Sequence, residues 1–238
     1  MTEPRDRLIV ALDVSTAAEA RQIVHSLAGT VSTYKVGKQL FTAEGPAVVR
    51  ELVGGGHKVF LDLKFHDIPN TVAGAVASAA KLGVSMLTVH ASGGRRMLAA
   101  AAEAAAQSDS KPLILAVTVL TSLRDEDLQE IGVEEKVPDQ ALRLARLAQS
   151  NGCGGVVASA LEARWLRSEL GSRFAIVTPG VRARGTDAGD QARVATATAA
   201  LSAGASHIVV GRPITQAADR AAAARAILEE ISGVKVAQ

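Results

Sequence analysis

Short apolar runs rich in β-branched residues alternate with longer alanine-rich stretches from Leu8 to the end of the chain. The short runs are apolar on both faces, as parallel strands buried between two layers are. The longer stretches have helical character. No linker and no shift in composition interrupts the alternation. The pattern therefore predicts strand–helix units that repeat along the whole chain.

Eight strands are predicted, at Leu8 to Val14, Thr33 to Gly37, Lys58 to Phe65, Met86 to Ala91, Leu113 to Leu120, Gly155 to Ala160, Phe174 to Val181 and His207 to Gly211. Helices are predicted between them, among others at Ala17 to Leu27, Pro46 to Val53, Thr71 to Leu82, Arg95 to Ala106, Pro138 to Gln149 and Ala192 to Ser202. Strict alternation favours a parallel sheet, and eight units in 238 residues favour a closed barrel over an open sheet. We predict an α/β fold in which residues 1–238 form a single (β/α)8 TIM barrel domain.

Active sites of such barrels lie at the C-terminal ends of the strands and in the loops that follow them. Polar residues occur there in this chain. Those in or directly after the predicted strands include Asp13, Lys35, Asp62, Lys64, His90, Thr121, Arg182 and Arg212. We therefore expect the functional site at this end of the barrel.

The third predicted strand carries a charged pair. Asp62 and Lys64 are two residues apart, so a regular strand places both side chains on one face, towards the barrel mouth. Burying a charge costs several kcal/mol unless it is paired, and a purely structural ion pair satisfies this requirement as well as a functional one does. Lys35 on the neighbouring strand and Asp67, three residues after Lys64, would extend the pair into an alternating array.

The segment DLKFHDIPNT resembles the signature of orotidine 5′-phosphate decarboxylases, with Asp62, Lys64, Asp67, Ile68 and Thr71 at the matching positions. The chain is also similar to bacterial members at IVALDV, YKVGKQLFTAEGP, TVHASGG, AVTVLTS, TPGVRARGTDAGDQARV and HIVVGRPIT. These motifs follow one another in the order of the family over nearly the whole predicted barrel.

The resemblance implies decarboxylation of orotidine 5′-monophosphate to UMP and CO2 in de novo pyrimidine biosynthesis, with no metal and no organic cofactor. Lys64 would protonate C6 of the pyrimidine as CO2 leaves, because an ammonium group both stabilises the negative charge on that carbon and supplies a proton. Asp62 would lie near the departing carboxylate, and Lys35 would hold the alternating charges in place. Asp13 and Thr71 would help to bind the ribose.

The resemblance also implies a homodimer of barrels with shared sites, in which Asp67 and Thr71 are supplied across the interface. Phosphate is expected to bind after the seventh and eighth strands, where backbone N–H groups and helix N-termini gather. The candidates there are Arg182, Gln191, Gly211 and Arg212. The polar, glycine-containing stretch from Arg182 to Arg193 is suited to a loop that closes over a ligand.

Two further positions leave alternatives open. Either Thr121 or Ser122 would bond the amide edge of the pyrimidine, and the resemblance favours Thr121. His90 ends the fourth strand, where it either acts as a base or only braces its neighbours; the proposed chemistry needs no base. The other histidines are scattered along the chain without the spacing of zinc ligands.

The composition of the chain limits the classes of partner that we expect it to bind. The longest apolar runs, such as Leu113 to Val117, are far shorter than the roughly 20 residues that span a bilayer. The 26 basic residues are interleaved with 24 acidic ones, and 3% aromatic residues are too few for a base-stacking platform. The N-terminus has no features of a signal peptide. We expect a cytoplasmic protein that binds a small nucleotide and neither membrane nor nucleic acid.

Two other functions compete with this interpretation. A metal-dependent sugar-phosphate aldolase or decarboxylase would share the Asp-x-Lys-x-x-Asp element, although the IPNT that follows Asp67 argues against it. A nucleotide-phosphate sensor would keep Gly211 and Arg212 without turnover. Nucleotide-cofactor enzymes and serine hydrolases lose support, because GxGxxG, GxxxxGK[ST] and GxSxG are absent.

Overall fold

The computed structural model describes residues 3–181 and 195–234. Its strands are β1 Leu8–Ala11, β2 Thr33–Gly37, β3 Lys58–Phe65, β4 Met86–His90, β5 Leu113–Val117, β6 Gly155–Val157, β7 Ala175–Thr178 and β8 His207–Val210. Each strand is parallel to the next in chain order, and β8 also pairs with β1, which closes the barrel. The predicted (β/α)8 barrel is confirmed.

Helices cover the outside of the barrel. They are α1 Pro4–Arg7, α2 Ala17–Ser26, α3 Lys38–Glu44, α4 Pro46–Gly54, α5 Pro69–Ala80, α6 Gly94–Ala106, α7 Asp125–Glu130, α8 Val137–Ser150, α9 Ala160–Leu170, α10 Ala197–Ser202, α11 Arg212–Thr215 and α12 Arg220–Ser232, with a 3₁₀ helix at Ala91–Gly93. Within the described ranges, no helix is both long and apolar enough to cross a membrane.

Six of the predicted strands are too long, mostly at their C-terminal ends, and in two of them a residue predicted as strand instead caps the next helix. Ser159, predicted within the sixth strand, caps α9 instead: its hydroxyl accepts from the Leu161 N–H, and the side chain of Glu162 accepts from the Ser159 N–H. Gly211 likewise precedes α11 as its N-cap residue. The predicted bounds of β2 and β3 are correct.

The inside of the barrel is apolar at its base and charged at its mouth. Side chains from alternate strand positions form a buried cluster at the base: Ile9, Ala11, Phe60, Leu115, Val177 and Val209. Asp13 follows β1 two residues after Ala11, and Asp62 is the next inward position on β3 after Phe60. A second, larger apolar core lies between the strands and the helices. The charged residues therefore lie directly above the buried apolar cluster at the base.

Arg167 on α9 fastens the opposite, N-terminal end of the barrel. The guanidinium is buried and donates to the carbonyl oxygens of Gly171, Phe174 and Gly204 and to the Ser206 hydroxyl, at 2.6–3.0 Å. Gly204 has a φ of +109°, and a Cβ there would approach the Arg167 Cβ to 2.7 Å. One side chain thus ties α9 to the segments that lead into β7 and β8.

Replacing this buried guanidinium should destabilise the fold. The Arg167→Met substitution is expected to lower the free energy of unfolding by about 3 kcal/mol, because several buried acceptors lose their donor. The matched control is Arg164→Met on the exposed side of the same helix, which should change stability by less than about 0.5 kcal/mol. Urea unfolding of both variants measures the difference. Equal stability of the two variants would contradict the structural role of Arg167.

Candidate active site

A cavity of about 820 Å³ opens at the C-terminal ends of the strands. It brings together most of the site residues predicted from the sequence: Asp13, Lys35, Asp62, Lys64, Thr121, Gly211 and Arg212, together with Ser122. Because both Thr121 and Ser122 line this cavity, the choice between them stays open. Arg182 and Gln191 lie outside the described residues.

Four charged side chains of alternating sign line one wall of this cavity. Lys35 Nζ lies 2.8 Å from Asp13 Oδ1 and 3.9 Å from Asp62 Oδ2. Lys64 Nζ lies 2.8 Å from each carboxylate oxygen of Asp62. The side chains of Lys35 and Asp62 are 10% and 13% exposed, whereas Asp13 is 59% exposed. We call this Asp13–Lys35–Asp62–Lys64 set the charge array.

The array is centred on Asp62. Burial by itself would raise the pKa of this carboxyl group, but the charges of Lys64 and Lys35 and the hydrogen bonds from Lys64 and Thr88 outweigh burial, so the pKa is lowered. Asp62 is therefore ionised at neutral pH, in a place where a lone carboxylate would be unstable.

Lys64 reaches Asp62 from an irregular part of β3. The strand is regular up to Leu61, which pairs with Leu87, but the next pair is Phe65 with Val89, so β3 advances four residues while β4 advances two. Lys64 lies within this bulge with a φ of +53°, which is unusual for a residue with a side chain. The expectation that both charges share one face is confirmed by their contact, but the regular strand assumed for it is wrong.

Gly37 makes room for the array at the end of β2. A Cβ at this position would approach Lys35 Nζ to 2.9 Å and Asp13 Oδ1 to 3.3 Å. Any larger residue would therefore push the lysine away from its carboxylate partner. Gly211, directly after β8, is also close to Asp13, since a Cβ there would lie 3.8 Å from Asp13 Oδ2.

Asp67, Ile68 and Thr71 do not line the cavity of this chain. Asp67 is exposed, and its carboxylate accepts a hydrogen bond of 2.6 Å from the Ile68 N–H. Within the described ranges it forms no ion pair with Lys64. Ile68 is 67% exposed at the start of α5. Among the described residues of one chain, Asp67 does not join the alternating charges, which begin instead with Asp13; its contribution to the site of a partner chain stays a prediction.

His90 lies at the end of β4 beside His66, with their ring centroids 5.3 Å apart. Burial lowers the pKa of His90, and the nearby His66 and Lys64 lower it further, against a smaller opposing effect of Asp62. The imidazole is therefore neutral at neutral pH. A neutral ring packed against a second histidine agrees with a bracing role.

Thr88 belongs to the site but was not predicted. Its buried hydroxyl contacts both Asp62 and the backbone of Lys64. The available signal was its position two residues before His90, on the inward face of the fourth strand, where a polar residue between apolar ones needs a partner. Within the described ranges, no group of three or more His, Cys, Asp or Glu residues is placed to hold a metal ion.

Comparisons with known proteins agree with this geometry. Residues 6–227 match the model of the orotidine 5′-phosphate decarboxylase / HUMPS family. Orotidine 5′-phosphate decarboxylase of Idiomarina loihiensis is 53% identical over 225 residues, covering 94% of this chain and 97% of that protein. The enzyme of the same name from Moorella thermoacetica is 54% identical over 237 residues, covering 97% and 94%.

Solved structures give the same result. The crystal structure of orotidine 5′-phosphate decarboxylase from Lactobacillus acidophilus superposes with a TM-score of 0.85 at 40% identity, covering 95% of this chain and 99% of that one. The enzyme from Pyrococcus horikoshii has a TM-score of 0.77 at 28% identity, with 95% and 100% covered. With its closed barrel and its charge array, the chain belongs to the orotidine 5′-phosphate decarboxylase / HUMPS family.

Proposed function

We propose that this protein converts orotidine 5′-monophosphate to UMP and CO2 in pyrimidine biosynthesis, with no metal and no organic cofactor. The observation that carries the proposal is the charge array: two lysines and two aspartates of alternating sign at the mouth of a barrel of this family. Relatives that are more than half identical over nearly the whole chain bear the name of this activity. A cytoplasmic location remains a prediction from the sequence.

Lys64 is the proposed proton donor. When the bond between C6 and the carboxylate breaks, the electron pair stays on C6 and CO2 departs. A proton then passes from Lys64 Nζ to C6. The lysine is held by two 2.8 Å contacts to Asp62, so its charge is in place before the reaction begins. Such preorganised charge is worth more in a water-excluded site than in solution.

Asp62 and Lys35 prepare the site for this step. An ionised Asp62 beside the substrate carboxylate repels it, and this repulsion disappears as CO2 departs. We assign this destabilisation a secondary role. Lys35, between Asp13 and Asp62, offsets the negative charge on both sides of it. Asp13 is the most exposed member of the array and is free to accept a ribose hydroxyl as well.

Binding of the rest of the nucleotide is assigned to the other side of the cavity. Gly211 and Arg212 follow β8 and line the cavity, and a guanidinium group there is suited to bind phosphate. Arg182 and Gln191 remain predicted partners of the phosphate or the base. Thr121 or Ser122, after β5, would bond the amide edge of the pyrimidine.

We also propose a homodimer with shared sites, in which Asp67, Ile68 and Thr71 reach the nucleotide bound to the partner. This part of the proposal is supported by their position at the exposed start of α5, away from the cavity of their own chain. Ile68 is 67% exposed there, and a partner chain on this face would cover it.

The first test is turnover without metal. Wild-type protein, freed of metal by dialysis against chelator, should form UMP and CO2 from orotidine 5′-monophosphate at an unchanged rate in excess chelator, because the lysines supply the positive charge. Both products are measured together. Activity that depends on added Mg²⁺ would refute the cofactor-free reaction and favour the sugar-phosphate enzymes instead.

The second test removes the proposed proton donor. The Lys64→Ala substitution should lower kcat by at least about 10²–10⁴-fold while UMP still binds, because the phosphate and ribose contacts remain. Lys81→Ala, at an exposed position after α5, is the matched control and should behave as wild type. Steady-state kinetics and calorimetric titration with UMP give the two readouts. Normal turnover by the Lys64 variant would rule out its role.

The third test addresses the shared site. Co-expression of Lys64→Ala and Asp67→Ala chains should restore activity to about a quarter of wild type, because random pairing makes half of the dimers mixed, and each mixed dimer has one intact site. Co-expression of Lys64→Ala with Asp62→Ala is the control and should restore nothing, since both residues serve the same site. No recovery in the first mixture would show that Asp67 does not act across the interface.

A further inference from the structure

The hydroxyl of Thr88, on β4, is hydrogen-bonded to both Asp62 and Lys64 of the neighbouring strand β3. Thr88 is fully buried and lies on the inward face of β4, between Met86 and His90. Its Oγ1 lies 2.9 Å from Asp62 Oδ1 and 2.8 Å from the backbone nitrogen of Lys64. Thr88 does not line the cavity. Any effect on the reaction must therefore pass through Asp62 and Lys64.

The direction of both hydrogen bonds is fixed by chemistry. An ionised carboxylate only accepts, so the hydroxyl proton of Thr88 points to Asp62. A backbone N–H only donates, so a lone pair of the same oxygen receives the N–H of Lys64. One hydroxyl group is thereby used as donor and acceptor at once. An apolar side chain of the same shape can replace neither bond.

The hydrogen bond from the Lys64 N–H to the Thr88 hydroxyl lies in the irregular part of β3. Between the Leu61–Leu87 pair and the Phe65–Val89 pair, the side chain of Thr88 takes the place of a ladder carbonyl as acceptor for the Lys64 N–H. Lys64 has a φ of +53° there, a conformation that persists only where its surroundings hold it. Within the described residues, the only other non-glycine residue with positive φ is Lys111, outside the site.

We propose that Thr88 is a positioning residue for decarboxylation: its hydroxyl holds the Asp62 carboxylate and the left-handed backbone of Lys64 in the geometry in which Lys64 Nζ meets both Asp62 oxygens. This role rests on the proposed function. The bulge turns the side chain of Lys64 towards Asp62. The Thr88 hydroxyl is hydrogen-bonded both to the bulge, at the Lys64 N–H, and to the Asp62 carboxylate. Loss of the hydroxyl leaves the lysine and the aspartate present but displaced.

The test compares Thr88→Val with Thr88→Ser. Valine keeps the shape and removes the hydroxyl, whereas serine keeps the hydroxyl. Thr178→Val is the matched control, because Thr178 is also a fully buried threonine in a barrel strand, but its hydroxyl has no hydrogen-bond partner within the described ranges. Thr88→Cys, with a thiol that bonds only weakly, repeats the comparison with serine in case the valine variant does not fold.

Thr88→Val is expected to lower kcat for orotidine 5′-monophosphate by about 10- to 100-fold, as small displacements of catalytic groups do, with little change in KM. Thr88→Ser should retain most of kcat, and Thr178→Val should match wild type. Folding is checked by thermal unfolding of each variant. A folded Thr88→Val protein with wild-type kcat, or equal losses in Thr88→Ser and Thr88→Val, would overturn the proposal. Wild-type protein without turnover would instead refute the proposed function, and this role with it.

Discussion

The buried carboxylate of Asp62 keeps its charge because two lysines lie beside it, and the other charged groups at the mouth of the barrel are placed around this contact. Asp62 is only 13% exposed, and burial alone would favour its protonated form. Lys64 contacts it within β3, and Lys35 approaches it from the adjacent strand β2, with Nζ 3.9 Å from Asp62 Oδ2. Because β2 and β3 are adjacent parallel strands, both lysines lie on the same wall of the cavity, and the carboxylate keeps its charge although it is mostly buried.

The apolar base of the barrel makes this pairing effective. Phe60, one inward position before Asp62 on β3, packs with Leu115 and Val209 and excludes water from beneath the array. Electrostatic interactions over a given distance are stronger in such surroundings than in water. Stability is supplied separately, at the other end, where Arg167 binds the loops before β7 and β8. Changes at the mouth can therefore affect chemistry without loosening the base, as barrels of this kind allow.

Part of this arrangement can be predicted from sequence patterns. Alternation of strands and helices predicts the barrel, and the two-residue spacing of Asp62 and Lys64 predicts their contact, although the strand between them is irregular. The left-handed backbone of Lys64 is not predictable, because no glycine or asparagine marks it and Thr88, which accepts the hydrogen bond from its N–H, lies 24 positions away. The nearest partner of Lys35 is Asp13 rather than Asp62, and that depends on side-chain placement that strand periodicity does not determine.

The alternation of charge also explains how a proton donor can work in a buried site. Before the proposed reaction, two lysines and two aspartates sum to zero, and the substrate carboxylate adds one negative charge. Afterwards CO2 has left as a neutral molecule, C6 carries the proton, and the array holds the one negative charge because Lys64 has become neutral. The total charge of the site is unchanged. Asp62 stays ionised throughout because Lys35 and the Thr88 hydroxyl remain beside it.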